Sequence, residues 1–313
     1  MAAVRPSTFA EIAADLIERG VVEPECNQVE RLEKTTSDAV GFLGAPGEAN
    51  PRYVLKQNDP EAVFAEATYA RAYAHLPWVL RVHYLDPTHE FVVYQHIPGL
   101  KHQGSGERID PATMLTALSR DVFSHYESIE VLAARPGGEW LYAPANPHRL
   151  WQHRVLDWLP NIRRKLDSHF GPAAGDLAAA LTLCSRERQK RLGQDALALV
   201  HGDLGPHNFI VDRAHGEPRL SGIIDPYPAL AMPFYDLAHA FSGWGADFSP
   251  ETLLPAAEAL GRWQLPDQRT LMEELLPVLY WQASACLSWH PEDFHRYPEA
   301  WHYWTNRLTE ASG

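Results

Sequence analysis

The separation of strand-like segments from helical segments along the chain restricts the fold more than any other feature of the sequence. Helical periodicity is predicted at residues 6–20 and 60–76 and then dominates after residue 98, at 111–134, 149–170, 176–193 and from 236 to the end. Strand-like patterns concentrate early, at residues 29–34, 39–43, 52–57, 79–84 and 90–95, with two short ones at 197–200 and 220–224. Strands first and helices later are typical of an α+β protein.

The strand-rich part ends at His96-Ile97-Pro98-Gly99, and we place a domain boundary there. This predicts a small antiparallel-sheet domain over residues 1–97 and a larger, mainly helical domain over residues 98–313. A chain of 313 residues is long enough to bury a core in each. Four tryptophans of the last helices are expected in the core, although a pocket lining remains open: Trp281, Trp289, Trp301 and Trp304.

The charge balance argues against two classes of partner. The chain has 27 Lys and Arg against 40 Asp and Glu, for a formal net charge of −13. Such a chain repels nucleic acid and anionic membranes, and it tolerates a cationic small molecule.

No apolar run approaches the roughly 20 residues of a membrane span, and no signal peptide is evident. The three cysteines form no metal-binding pair. We therefore expect a cytoplasmic protein, and the oligomeric state stays open.

The segment from Val200 to Val211 carries the chemistry. It places Asp203 and Asn208 five residues apart, in a loop between two apolar stretches. Phosphoryl transfer needs a carboxylate that orients the attacking hydroxyl and takes its proton, and oxygen ligands for the metal that neutralises phosphate charge. The spacing matches the kinase catalytic loop, which reads His-x-Asp, four residues and Asn. In that reading Asp203 is the predicted catalytic base and Asn208 a predicted Mg²⁺ ligand. Asp225, at the end of an apolar strand, is the predicted second ligand.

Three motifs together resemble the aminoglycoside phosphotransferase and choline kinase superfamily. They are His-Gly-Asp at 201–203 with Asn208, Ile-Asp at 224–225, and Tyr-Asp-Leu-Ala at 235–238. The resemblance implies a bilobal protein-kinase-like fold that uses ATP or GTP with Mg²⁺. It also implies two supporting residues: His201, whose ring ties the loop to the interior, and Asp236, which holds the loop through hydrogen bonds.

The resemblance further implies a lysine on the third strand that contacts the α- and β-phosphates. Lys56 matches it. Its carboxylate partner on the following helix is best matched by Glu66, with Glu61 as the alternative. A buried ammonium held by a carboxylate would be fixed in place for phosphate contact.

Two nucleotide-binding segments are also implied by the resemblance. Thr35, Thr36 and Ser37 would form the phosphate loop, although they depart from a glycine-rich loop. The backbone C=O of Gln95 and N–H of Ile97 would meet the adenine ring. These residues are the predicted nucleotide contacts outside the Lys56 pair.

Three functions remain open at this level. The first is an ATP-dependent phosphotransferase acting on a hydroxyl of an aminoglycoside, aminocyclitol or related natural-product antibiotic, and hence antibiotic resistance. The second is a metabolic kinase of the same fold, with choline, homoserine, a nucleoside or a sugar as acceptor. The third is a nucleotide-binding pseudokinase that regulates a partner. Intact Asp203, Asn208, Asp225 and Lys56 argue against the third.

Overall fold

A computed structural model describes residues 8–32, 39–101, 109–135, 150–212, 218–244 and 247–311. The chain divides into two compact units, residues 1–99 and 100–313. The boundary expected from the sequence lies two residues earlier, between 97 and 98.

A five-stranded antiparallel sheet forms the first unit. Its strands lie in the order β1-β2-β3-β5-β4, and every neighbouring pair is antiparallel. The bounds are β1 Gln28–Arg31, β2 Ala39–Gly44, β3 Tyr53–Gln57, β4 Val82–Leu85 and β5 Phe91–Gln95. The sheet is thus made by the five segments in which the sequence predicted strands.

Two helices accompany this sheet, α1 (Phe9–Glu18) and α2 (Pro60–Ala72). Apolar residues of α1 share one core with alternate residues of the central strands, among them Leu55 and Val93. Successive side chains on a strand point to opposite faces, so Lys56 lies on the face away from Leu55. Helix α2 packs against β4 and β5.

The second unit contains two small sheets. Three antiparallel strands lie in the order β6-β8-β9, and a separate pair joins β7 to β10. The bounds are β6 Leu100–Lys101, β7 Ala198–Val200, β8 Phe209–Asp212, β9 Arg219–Ile223 and β10 Ala229–Ala231. The register pairs Lys101 with Ile210 and Phe209 with Ile223. The end of β6, the start of β8 and the end of β9 therefore meet at one edge of the sheet.

Helices make up most of the rest of the described second unit. The bounds are α3 Pro111–Asp121, α4 Ile129–Ala133, α5 Trp151–Phe170, α6 Pro172–Leu192, α7 Phe234–Trp244, α8 Pro250–Glu258, α9 Gln268–Trp289 and α10 Tyr297–Glu310. Helix α7 lies in the core of this unit, with Leu237, Ala238 and Phe241 fully buried, and α9 packs against α7, α6 and α10. The predicted α+β class is confirmed.

Two expectations from the sequence are wrong in detail. The single helix predicted at 111–134 is two helices, because the backbone leaves the helical region at Val122 (φ −124°) and Ser128 starts α4 by accepting the Val131 N–H. Ser, Thr, Asp and Asn favour helix starts for this reason. Trp301 and Trp304 are buried, whereas Trp289 is 71% exposed and does not belong to the core.

Candidate active site

The loop from His201 to Asn208, here called the catalytic loop, connects β7 to β8 and ends in a 3-10 turn. Its shape depends on Gly202. The φ of Gly202 is +83°, and a Cβ at this position would lie 2.0 Å from the Tyr227 carbonyl oxygen. Only glycine combines this backbone conformation with so close an approach. The Tyr227 N–H donates in turn to the His201 carbonyl at 2.9 Å.

Asp236, in the first turn of α7, holds the start of the catalytic loop. Its carboxylate is completely buried and accepts three hydrogen bonds, from His201 N–H (2.7 Å), Gly202 N–H (2.9 Å) and the Tyr126 hydroxyl (2.9 Å). Burial raises the pKa of Asp236 to about 6, against these hydrogen bonds, which lower it. A core helix therefore fixes the loop backbone.

The His201 ring ties the catalytic loop to the strand that leads to Asp225. Its Nε2 lies 3.1 Å from the Ile224 carbonyl oxygen, and its Nδ1 lies 3.4 Å from the Asp203 amide nitrogen. Burial lowers the pKa of His201 to about 4, so the ring is neutral at neutral pH. In this arrangement Nε2–H donates to Ile224, and Nδ1 accepts from Asp203.

The Asp203 side chain is 42% exposed and lies between two histidines. Nε2 of His207 is 3.6 Å from one carboxylate oxygen, and Nε2 of His239 is 3.8 Å from the other. Desolvation by the surrounding protein acts to raise the pKa of Asp203, but the His207 contact and the electrostatic effect of the neighbouring histidines outweigh it, so the pKa lies below its ordinary value. At neutral pH the group is an ionised carboxylate that can accept a hydroxyl proton.

Asn208 and Asp225 lie at the sheet edge where β8 starts and β9 ends. The Asn208 side-chain amide donates to the Asp203 carbonyl oxygen at 2.8 Å, and the Asn208 carbonyl accepts from Ile224 N–H at 3.0 Å. Asp225 adopts a left-handed conformation with φ +55°. Its side chain is 40% exposed, and its Oδ2 lies 3.4 Å from the Lys101 ammonium.

This donor set fits Mg²⁺. An amide oxygen and a carboxylate are hard ligands, and Mg²⁺ keeps several waters besides one or two protein oxygens and substrate phosphates. Within the part of the chain that the structure describes, no group of three or more His, Cys, Asp and Glu side chains could hold a metal ion. Asn208 and Asp225 could therefore supply two oxygens to an ion that takes its other ligands from water and phosphate.

Two residues around the catalytic loop were not predicted from the sequence. Arg154 of α5 donates to the carbonyls of Tyr227, at 2.7 Å, and Pro228, and its guanidinium lies 4.0 Å from the centre of the Tyr227 ring. No sequence pattern links α5 to residues so far along the chain. His239 lies one helical turn after Asp236, on the same face of α7, so helical spacing could have indicated it.

In the first unit, Lys56 contacts Glu66 rather than Glu61. The Lys56 ammonium lies 2.6 Å from the Glu66 carboxylate, and both side chains are buried. Glu61 is exposed in the first turn of α2, where its N–H donates to the Asp59 cap at 3.0 Å. A buried ion pair fixes both side chains, because either charge alone would be costly to bury.

The remaining nucleotide-contact predictions stay predictions. Gln95 ends β5 as an exposed residue, its N–H donates to the Arg81 carbonyl at 3.0 Å, and Ile97 follows partly buried. The predicted phosphate loop, residues 35–37, lies outside the described residues.

Among the helices that the structure describes, none has both the length and the apolar character needed to cross a membrane.

Comparison with protein families identifies the class. Residues 28–274 match the phosphotransferase enzyme family. The matched range includes the catalytic loop, Asp225, Asp236 and Lys56. The chain belongs to this family, and the resemblance drawn from the three motifs is confirmed.

Individual relatives are more distant. Viomycin phosphotransferase of Streptomyces vinaceus is 38% identical over 86 residues, a match that spans 25% of this chain and 28% of that protein. Solved structures align over nearly the whole chain. The GDP and kanamycin complex of an aminoglycoside phosphotransferase, APH(2″)-IIIa, has a TM-score of 0.56 at 16% identity and covers 96% of this chain and 97% of its own.

Two further structures widen the range. A macrolide 2′-phosphotransferase from Brachybacterium faecium has a TM-score of 0.53 at 15% identity, covering 93% of this chain and 97% of its own. A choline/ethanolamine kinase family protein from Mesorhizobium loti has a TM-score of 0.54 at 15% identity, covering 95% of this chain and 93% of its own. At these identities the likeness shows the fold alone, and it confirms the expected kinase-like fold.

Proposed function

We propose that this protein is a kinase that transfers the γ-phosphoryl group of ATP or GTP to a hydroxyl of an aminoglycoside, aminocyclitol or related natural-product antibiotic. The observation that carries the proposal is the ionised, partly exposed Asp203 carboxylate, held in a loop that also fixes Asn208 beside the strand leading to Asp225. Oxygen groups placed in this way are what phosphoryl transfer requires.

Each residue then has a separate task. Asp203 orients the acceptor hydroxyl and takes its proton, while Asn208 and Asp225 hold Mg²⁺. When bound, the ion neutralises charge on the phosphates. Lys56, kept in position by Glu66, contacts the α- and β-phosphates. His201 and Asp236 do not touch the reacting atoms but keep the loop in shape.

Support for an antibiotic acceptor comes from the relatives. The 38% identical segment belongs to a viomycin phosphotransferase, and structures of the same fold carry kanamycin or hygromycin B with their nucleotide. The net charge of −13 is compatible with a cationic acceptor. We place the reaction in the cytoplasm, where nucleoside triphosphates and reduced thiols are found.

Acceptor-dependent release of ADP from ATP, or of GDP from GTP, tests the proposal. Purified protein with Mg²⁺ and ATP, or GTP, is offered aminoglycosides, aminocyclitols, a cyclic-peptide antibiotic, macrolides, choline, homoserine, nucleosides and sugars. We expect release with an antibiotic, and a product heavier by one phosphoryl group in mass spectrometry. Release with choline, homoserine, a nucleoside or a sugar instead would establish the metabolic kinase. Nucleotide binding without any turnover would favour the pseudokinase.

A further inference from the structure

We propose that Lys101 is a phosphate-contacting residue which pairs with Asp225 until the nucleotide is bound. The inference rests on the proposed function, since it assigns a further residue to the same site. The three-stranded sheet supplies the first observation. Lys101 ends β6, opposite Ile210 of β8, so it lies at the edge that also carries Asn208 and Asp225.

The second observation is the contact itself. The Lys101 ammonium lies 3.4 Å from Oδ2 of Asp225, and the two side chains are 53% and 40% exposed. An ion pair this exposed contributes little to stability and can change partners at low cost. The ammonium is thus held beside the carboxylate but is not committed to it.

The chemistry of the site explains what the ammonium can do next. Mg²⁺ and Lys101 cannot both use the same lone pair of Asp225, so the metal competes with the ammonium for this carboxylate. A nucleotide that arrives with Mg²⁺ brings several phosphate oxygens to the same sheet edge. Lysine is a compact point charge on a flexible stem, and it can turn from the carboxylate to a phosphate within a few ångströms.

Replacing Lys101 should therefore have two effects of opposite sign. In Lys101→Gln the carboxylate loses its competitor, so a metal ion alone should bind about two- to five-fold more tightly, in line with an exposed pair. The phosphates lose a charged contact, so Mg²⁺-ATP should bind about three- to ten-fold more weakly. A residue that only supports the sheet would move both affinities in the same direction or leave both unchanged.

The experiment measures binding, not turnover. Mn²⁺ replaces Mg²⁺ as the metal probe and is followed by the electron paramagnetic resonance signal of free Mn²⁺, and Mg²⁺-ATP binding is followed by calorimetry. Lys190→Gln is the matched control, because Lys190 forms a comparable exposed pair with Glu187 at 2.8 Å, with side chains 56% and 52% exposed. Lys101→Arg keeps the charge and should retain most of the Mg²⁺-ATP affinity.

The outcomes are distinct. The proposal is supported if Lys101→Gln, but not Lys190→Gln, binds Mn²⁺ more tightly and Mg²⁺-ATP more weakly than wild type. The proposal is overturned if Lys101→Gln binds Mg²⁺-ATP as tightly as wild type, or if Lys190→Gln loses as much Mg²⁺-ATP affinity. It is also overturned if Lys101→Arg binds Mg²⁺-ATP no more tightly than Lys101→Gln. A wild-type protein that binds Mg²⁺-ATP but phosphorylates no acceptor contradicts the proposed function, and it leaves the Lys101 measurement fully interpretable.

Discussion

At the scale of single residues, the catalytic loop combines a backbone that only glycine can adopt with a carboxylate of lowered pKa. Gly202 allows the loop to pass against the Tyr227 carbonyl, and Asp203 follows directly after it. The backbone therefore sets where the Asp203 side chain begins, and Asn208, His207 and His239 lie against its carboxylate. Both features can be tested by substitution.

Gly202→Ala should destabilise the protein more than the same change at another glycine of similar backbone. Gly47 has the same φ of +83° and no atom within 4 Å of an added Cβ, so Gly47→Ala isolates the cost of an alanine at positive φ, about 1–2 kcal/mol. Gly202→Ala adds the clash with Tyr227 and should cost roughly 3 kcal/mol or more, or displace the loop. Thermal unfolding of the two variants measures the difference, and equal costs would contradict the close approach.

Asp203→Asn should lower kcat by a factor of about 10²–10⁴ while Mg²⁺-ATP binding changes little. The amide keeps the size of the side chain but cannot take the hydroxyl proton. Steady-state kinetics with the acceptor found in the panel, together with a nucleotide titration, provide the two measurements. Turnover above about a tenth of wild type would remove Asp203 from the role of base.

At the scale of secondary-structure elements, the Lys56–Glu66 pair and the Asp236 anchor come from the buried sides of their elements. Lys56 is the buried residue of β3 that faces α2, and Glu66 lies on the buried side of that helix. In the second unit, α7 supplies both Asp236 and His239 from a core position. The elements therefore fix these side chains before any ligand is present.

Glu66→Gln should weaken Mg²⁺-ATP binding by about ten-fold or more, because the Lys56 ammonium loses its charged partner within a buried site. Glu61→Gln should leave binding unchanged, because Glu61 is exposed and its backbone alone takes part in the cap of α2. Calorimetric titration of both variants separates the two glutamates. Equal losses would contradict the assignment of Glu66, and circular dichroism controls for folding.

At the scale of the whole molecule, much of the organisation was predictable and the reason is physical. Strand alternation and helical periodicity are local, so the five strands of the first unit and most helices could be predicted from sequence. The spacing of Asp203, Asn208 and Asp225 is also local to one hairpin of the second unit. Arg154 reaches Tyr227, and Lys101 reaches Asp225, through long-range packing, which no single-sequence pattern encodes.

The pH dependence of stability should reflect two buried groups that act in opposite directions. The pKa of His201 is lowered to about 4, so below pH 6.5 the unfolded chain binds a proton that the folded ring refuses, and acidification from 6.5 to 4 destabilises the fold. The pKa of Asp236 is raised to about 6, so between pH 6 and 4 the folded protein binds the extra proton, and acidification is stabilising.

Removing one group should therefore expose the other. His201→Gln should flatten the loss of stability on acidification, by up to about 3 kcal/mol across pH 6.5 to 4 relative to wild type. Asp236→Asn should make that loss steeper, by a similar order of magnitude. Thermal midpoints measured every half pH unit test both signs, and parallel curves for the three proteins would contradict the two pKa shifts.

The anchoring of the catalytic loop by Asp236 has a consequence for how the enzyme can diversify. The three hydrogen bonds that Asp236 accepts lie in the interior of the second unit, and none requires a bound substrate. The start of the loop is thus ordered when the chain folds, and substrate binding need not supply that ordering. Surface residues that contact an acceptor substrate can then change, and so admit a different acceptor, without altering the anchored loop.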